Sequence, residues 1–73
     1  IGNPNAITDA GTGAALAQAA LTGSGYNVRI NVLDLDESEA ELLINQLEQL
    51  ETQAAQSAEQ VREILRDRVN LLI

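Results

Sequence analysis

The hydrophobic pattern is clearest in the C-terminal half of the chain, where apolar residues recur every three or four positions from Ala40 to Val69. This spacing is typical of an amphipathic helix. Asp36 and Glu39 can form a capping box at its start, and Ser38 and Glu41 offer a second box two residues later. No Gly or Pro interrupts the segment that follows. The pattern therefore predicts a helix over residues 37–70, which would be roughly 50 Å long.

The apolar positions of this helix are separated by about 3.7 residues on average, which is closer to an 11-residue repeat than to a heptad. We therefore expect a nearly straight or weakly right-handed stripe. The stripe is wide at both ends of the helix, as in helices that form the core of a domain.

The N-terminal half is less regular. Residues 1–5 are expected to form an extended entry, because Pro4 disfavours a helical conformation at Asn3. Residues 6–21 are rich in Ala and predict a first helix, although Gly11 and Gly13 weaken it by roughly 1 kcal/mol each. Residues 22–26 contain two more Gly and are interpreted as a linker.

Apolar and polar residues alternate over residues 27–33, with Val28, Ile30 and Val32 on one side. Strict alternation with β-branched residues predicts a short strand. One strand has no partner within this chain, and its backbone N–H and C=O groups must be paired elsewhere. The pattern thus favours pairing or docking between subunits.

Together these elements predict a mainly α fold: a short Ala-rich helix, a Gly linker, one extended segment and a long C-terminal helix, arranged as a helical hairpin packed in an oligomer. Residues 1–73 would form a single assembly domain. A chain of 73 residues buries a modest share of its surface and usually needs additional support. The sequence has no Cys and no His, which excludes disulfides and nearly excludes zinc, so oligomerisation is the remaining source of stability.

The predicted first helix is about half as long as the second, so it would leave much of the long apolar stripe uncovered. Uncovered apolar patches usually mark interfaces, although the last three residues could instead fray. The predicted subunit interface comprises the strand residues, the stripe and the C-terminal residues: Val28, Ile30, Val32, Leu43, Leu47, Leu50, Ala54, Ala58, Val61, Leu65, Val69, Leu71, Leu72 and Ile73.

Charge narrows the choice of partners. The net charge of −7 argues against nucleic acid and anionic membranes, and no apolar run is long enough to span a bilayer. Acidic residues at the start of the second helix and Arg residues near its end match the helix macrodipole. The same asymmetry would let the acidic end of one subunit face the basic end of another. The predicted partners are copies of the chain, and a second protein component is left open.

The sequence contains no recognisable catalytic or metal-binding motif. Without His or Cys, no Ser–His or Cys–His pair can form within the chain. Gly11-Thr12-Gly13 lacks the strand–turn–helix context of a dinucleotide site, and the acidic run from Asp34 lacks the Gly and Glu of a calcium loop. The sequence predicts a protein that is not an enzyme and has no cofactor or metal.

The function favoured by these features is a structural subunit of a self-assembling homopolymer, such as a filament, pilus-like fibre, tube or shell. The alternative is a small dimeric or tetrameric helical interaction or scaffold module. The sequence begins at Ile1, and removal of an initiator Met requires a small following residue, so a longer precursor cut after a leader is one interpretation. This interpretation favours an extracellular or cell-surface location and leaves a cytoplasmic one open.

Overall fold

The computed structural model describes residues 3–73, which form two helices joined by a short turn. Helix α1 spans Pro4–Asn31, a 3-10 turn spans Val32–Asp34, and helix α2 spans Glu37–Val69. The predicted mainly α class and the helical hairpin are confirmed. Two residues of the predicted extended entry, Ile1 and Gly2, lie outside the described residues.

The extended entry is shorter than predicted, because α1 already begins at Pro4. Asn3 has an extended backbone and caps the helix, with its Oδ1 accepting a hydrogen bond of 2.9 Å from the N–H of Asn5. Proline suits the first helical position, where its missing N–H would have no intrahelical partner. Pro4 does keep Asn3 in an extended conformation, but this conformation is confined to the residue that precedes the helix.

The predicted linker at residues 22–26 is wrong, since the whole segment is helical. Neither Gly23 nor Gly25 has the left-handed backbone that a Gly cap would require. Gly25 is buried against α2 instead, where there is little room for a side chain. A Gly that allows close packing of two helices has the same sequence signature as a Gly that ends one.

The predicted strand at residues 27–33 is also wrong, because Asn27–Asn31 continue α1 and Val32 begins the 3-10 turn. Val28 and Val32 are four residues apart and therefore share one helical face, which is directed toward α2. Ile30 is directed outward and is 61% exposed. Helix α1 satisfies its own backbone N–H and C=O groups, so the unmet hydrogen bonding expected of a lone strand does not arise.

The predicted bounds of the second helix are confirmed to within one residue. Asp36 caps α2 with a 2.8 Å hydrogen bond from the N–H of Glu39 to its Oδ1. Helix α2 ends at Val69, and the residue that caps it, Asn70, has a left-handed φ of 55°. The predicted difference in length is wrong, because α1 has 28 residues and α2 has 33. Helix α1 can therefore accompany α2 along most of its length.

The contact between the helices follows a regular alternation of four- and three-residue steps, which is the heptad spacing of coiled coils. We call these positions the seam, and nearly all of their side chains are buried or half-buried. On α1 and the turn the seam comprises Ile7, Gly11, Ala14, Gln18, Leu21, Gly25, Val28 and Val32; on α2 it comprises Ala40, Ile44, Leu47, Glu51, Ala54, Ala58, Val61 and Leu65.

This register corrects the predicted spacing of about 3.7 residues. The predicted stripe included Leu43 and Leu50, whereas the structure places Ile44 and Glu51 in the seam. Leu43 and Leu50 lie beside the seam and are exposed. The apolar residues of α2 thus divide between two faces, and only one of these faces contacts α1.

The core of the hairpin is small. Within the described residues, only Val32, Leu47 and Leu65 are buried large apolar residues, and none is fully enclosed. The accessible surface is 5530 Å², whereas a compact protein of 7.8 kDa has about 4,400 Å². The radius of gyration is 16.2 Å, against about 11 Å for a compact domain of this length. One copy therefore leaves an unusual share of its surface uncovered.

Neither helix carries a stretch that is both long and apolar enough to cross a bilayer, within the residues that the structure describes.

Candidate interaction surface

Two long edges of the hairpin flank the seam, and they differ in chemistry. Because equivalent flanking positions of antiparallel helices lie on the same side, each edge combines residues from both helices. The apolar edge comprises Ala10, Ala17, Ser24 and Asn31 of α1 with Leu43, Leu50, Ser57 and Ile64 of α2. The polar edge comprises Thr8, Ala15, Thr22 and Arg29 of α1 with Glu41, Glu48, Ala55 and Arg62 of α2.

The apolar edge carries a straight row of large side chains on α2. Leu43, Leu50 and Ile64 are 39%, 54% and 43% exposed and are separated by multiples of seven residues. On a helix, residues seven apart lie two turns from each other on the same face. The facing residues of α1 have smaller side chains, so the side chains of the row project further from the surface.

Two grooves lie along the apolar edge, between the row on α2 and the small residues of α1. The first groove has a volume of about 230 Å³ and contains Ala10, Ile64 and their seam neighbours Ile7, Gly11, Val61 and Leu65. The second groove has a volume of about 280 Å³ and is lined by Ala14, Ala17, Gln18, Leu21, Ala54, Ser57, Ala58 and Val61. Almost all of these side chains are apolar, so both grooves suit an aliphatic side chain better than a polar ligand.

The surface beside the row carries no charge over most of α2. Gln46, Gln53 and Gln60 follow Leu43, Leu50 and Ser57 by three residues each and therefore lie next to them. Charged residues make up 21% of the sequence, so an uncharged strip of this length is notable. Depletion of charge around exposed apolar side chains is a property of protein–protein interface cores.

The polar edge contains the one ion pair between the helices among the described residues. The Arg29 guanidinium donates two hydrogen bonds to Glu51, with Nη2 at 2.6 Å from Oε1 and Nη1 at 3.0 Å from Oε2. Both side chains are partly buried. The hydrogen bonds from Arg29 lower the pKa of the Glu51 carboxyl, and those to Glu51 raise the pKa of Arg29. This forked pair sets the relative position of the two helices at the turn end of the hairpin.

Gly25 makes room for this pair. A Cβ at position 25 would lie 2.7 Å from Glu51 Oε2, 2.9 Å from Arg29 Nη1 and 3.5 Å from Leu47 Cδ1. The first two distances are shorter than real Cβ contacts, so any side chain here would displace the carboxylate or the guanidinium. The sequence pattern does not indicate Gly25, Arg29 and Glu51 as a group, because it predicts a linker at the first residue and a strand at the second. A heptad register drawn through α1 would have brought them together.

At the other end of the hairpin the C-terminal residues fold back. The N–H of Leu71 donates to the carbonyl of Leu65 at 3.1 Å, and Arg66 Nε donates to the carbonyl of Ile73 at 3.0 Å. Leu71 and Ile73 thereby line a groove of about 350 Å³ with Thr8, Thr12 and Arg62. Leu72, by contrast, is 98% exposed.

The predicted interface residues therefore fall into two groups. Those that pack within the hairpin or are half-buried are Val28, Val32, Leu47, Ala54, Ala58, Val61, Leu65 and Val69. Those that remain exposed are Ile30, Leu43, Leu50, Leu71, Leu72 and Ile73. A role of either group between subunits stays a prediction, and the exposed group is the one available for it.

The ionisable side chains of the described residues are mostly spread over the exposed surface. Across residues 3–73, no three His, Cys, Asp or Glu side chains come together as metal ligands. Every acidic residue except Glu51 is exposed. The pKa of Asp36 is lowered by the hydrogen bonds from the Glu39 N–H and the Ser38 hydroxyl, which is the effect of capping a helix.

Comparison with protein families finds a match over the N-terminal part of the chain. A family model described as formiminotransferase-cyclodeaminase matches residues 1–49, which is 49 of the 73 residues. The matched range includes all of α1, the turn and the start of α2. No curated protein and no solved structure matches the chain.

Proposed function

The chain belongs to the formiminotransferase-cyclodeaminase family, and on this premise we propose that it acts as a helical-hairpin building block of a closed oligomer. In this role the hairpin supplies a rigid pair of helices, and other helices cover its apolar edge. The observation that carries the proposal is the row formed by Leu43, Leu50 and Ile64, which is exposed beside two apolar grooves.

The energetics support an assembled state. The hairpin exposes about 1,100 Å² more surface than a compact protein of its mass. Burying apolar surface contributes roughly 25 cal/mol per Å², while a 73-residue chain on its own is only marginally stable. Binding of a further copy or helix to the folded hairpin therefore adds stability by mass action.

A closed dimer or tetramer fits the surface better than an open homopolymer. A filament, fibre, tube or shell requires two different surfaces on each subunit, whereas a dimer with a two-fold axis uses one surface twice. The apolar edge is a single surface on one side of the hairpin. The homopolymer remains the second candidate, supported by the further exposed apolar residues Leu16, Tyr26, Ile30 and Leu33 on and after α1.

Catalysis by the chain alone is not part of this proposal. The family is named for formiminotransferase and cyclodeaminase activities. The sequence supplies no His or Cys, and all its carboxylates but one stand on exposed surface. We expect the purified chain to show neither activity when assayed by itself; turnover above the uncatalysed rate would contradict this expectation.

The decisive experiment is sedimentation velocity across a concentration series from about 1 to 100 μM, with helix content followed by circular dichroism. We expect a helical protein that changes from monomer toward a defined dimer or tetramer as the concentration rises. Negative-stain microscopy of the same samples distinguishes fibres or tubes from small particles. A stable helical monomer at every concentration would refute the proposal.

A further inference from the structure

We propose that the apolar edge binds the same edge of a second copy, with the two α2 helices antiparallel and the two-fold axis between Gln53 and Ala54. This inference rests on the proposed function and names the partner and the surface. Three features carry it: the spacing of the large residues, the position of the grooves and the distribution of charge along α2.

The spacing of the row is self-complementary. Leu43 and Ile64 lie equally far from the midpoint between Gln53 and Ala54, and so do Leu50 and Ser57. An antiparallel copy therefore places its Leu43 level with Ile64 and its Leu50 level with Ser57. A two-fold interface requires this property, because each contact occurs twice.

The grooves lie where the leucines of the second copy would arrive. Ile64 borders the groove of about 230 Å³, and Ser57 borders the groove of about 280 Å³. Leu43 of the second copy thus faces the first groove and its Leu50 faces the second. The small side chains of Ala10 and Ala17 leave these grooves open to an incoming knob.

The charges of α2 match in the same register. The same two-fold axis brings Glu39, which precedes Leu43 by four residues, level with Arg68 of the second copy. Between these ends the row and its Gln neighbours are uncharged, so the net charge of −7 per chain is kept away from the contact. A parallel arrangement would instead place the acidic ends of both helices together.

The available area is sufficient. Stable interfaces bury about 800 Å² on each partner, and the hairpin exposes about 1,100 Å² beyond that of a compact protein. The surplus surface of one copy is thus larger than the area that one side of a stable interface buries.

Cysteine cross-linking tests the geometry directly, because the sequence contains no Cys. In the proposed dimer the two copies of residue 53 face each other across the axis, at a separation that a disulfide can bridge. The Gln53→Cys variant should form a covalent dimer under mild oxidation. The matched control is Ala55→Cys, which lies on the polar edge of the same helix and should remain uncross-linked.

Sedimentation of the reduced variants distinguishes a wrong interface from a wrong oligomeric state. If the chain dimerises but Ala55→Cys cross-links as efficiently as Gln53→Cys, or if neither does, the edge is wrong while the proposed oligomer stands. If the chain is monomeric throughout, both proposals fail. Preferential cross-linking of Gln53→Cys in a dimeric protein supports both.

A charge placed in the row provides a second measurement. Leu50→Glu should weaken dimerisation at least 100-fold, because an acidic group would enter an apolar groove of the other copy. Leu16→Glu is the control, since Leu16 is also exposed but lies on the outer face of α1. Both variants should retain the helix content of the unmodified chain; equal dissociation constants for the two would overturn the assignment of the edge.

Discussion

Gly25 shows how one residue makes room for an ion pair between the two helices. Its lack of a side chain lets the Arg29–Glu51 pair close against the backbone of α1. Gly11 has a similar position at the other end, where a Cβ would lie 2.9 Å from Leu65 Cδ1. Both are seam positions. Glycine costs helix propensity at each site, and the close approach of the helices offsets this cost.

Two glycines in the same turn of α1 allow a controlled test of this interpretation. A Cβ at Gly23 meets nothing within 4 Å, whereas a Cβ at Gly25 meets the ion pair. Gly23→Ala should raise the free energy of unfolding by up to about 1 kcal/mol through helix propensity. Gly25→Ala should have a clearly lower free energy of unfolding than Gly23→Ala, as measured by urea denaturation. Equal gains in the two variants would show that position 25 has free space.

The Arg29–Glu51 pair should also make stability depend on pH. The folded-state pKa of Glu51 is lowered, so its contribution is present above the ordinary carboxyl pKa of 4.5 and is lost as the pH falls below that value. Stability of the unmodified chain should therefore decrease on acidification. Glu51→Gln should flatten this part of the dependence, as measured by urea denaturation from pH 7 to pH 3.

The control for this measurement is the double variant Arg29→Gln with Glu51→Gln. It should resemble Glu51→Gln in its pH dependence, because neither retains the charged pair. If Glu51→Gln loses stability on acidification as steeply as the unmodified chain, the pair does not contribute to the pH dependence.

At the scale of the elements, the heptad register of the seam explains which apolar residues of α2 stabilise the hairpin. Leu47 lies in the seam and is 7% exposed, while Leu50 lies on the apolar edge and is 54% exposed. Both belong to the stripe predicted from the sequence. Only the position of α1 distinguishes them, because it covers one face of α2 and leaves the next one free.

Substituting these two leucines separates the faces. Leu47→Ala should lower the free energy of unfolding by about 2–3 kcal/mol, the lower part of the range for buried leucines, because the core is small. Leu50→Ala should lower the free energy of unfolding by less than about 1 kcal/mol in dilute protein. This loss should become larger as the protein concentration is raised, because Leu50 would then lie in the contact between copies. Urea denaturation at two concentrations checks this. Similar losses at low concentration would place both residues in the same core.

For the molecule as a whole, assembly should make stability depend on concentration. If oligomers form only from folded hairpins, the thermal midpoint rises with total protein concentration. A tenfold increase in protein concentration changes the free energy available from association by about 1.4 kcal/mol per mole of dimer. The resulting shift of the thermal midpoint is measurable for a domain of this size. The thermal midpoint should rise in steps between melts at about 2, 20 and 200 μM protein, which cover a micromolar range of dissociation constants. A constant midpoint would mean that folding is independent of assembly.

Helix α2 is predictable from the sequence because its cap, its uninterrupted length and its helical periodicity agree with one another. Only part of α1 is predictable, because Gly and β-branched residues around Gly25 and Val28 have low helix propensity and alternate as in a strand. These local preferences were overridden by packing against α2. The family match rests on this same N-terminal region, where the physical patterns were least clear.

The sequence by itself determined that the chain is mainly helical and acidic and that Asp36 begins a long second helix. These properties follow from local propensity, capping and composition, which do not require knowledge of distant contacts. Only the tertiary structure decided that residues 22–31 extend the first helix, that Gly25 admits the Arg29–Glu51 pair, and that Leu43 and Leu50 lie outside the seam. Each of these depends on where α1 lies against α2, because a helix surface has several possible faces and the partner helix selects one.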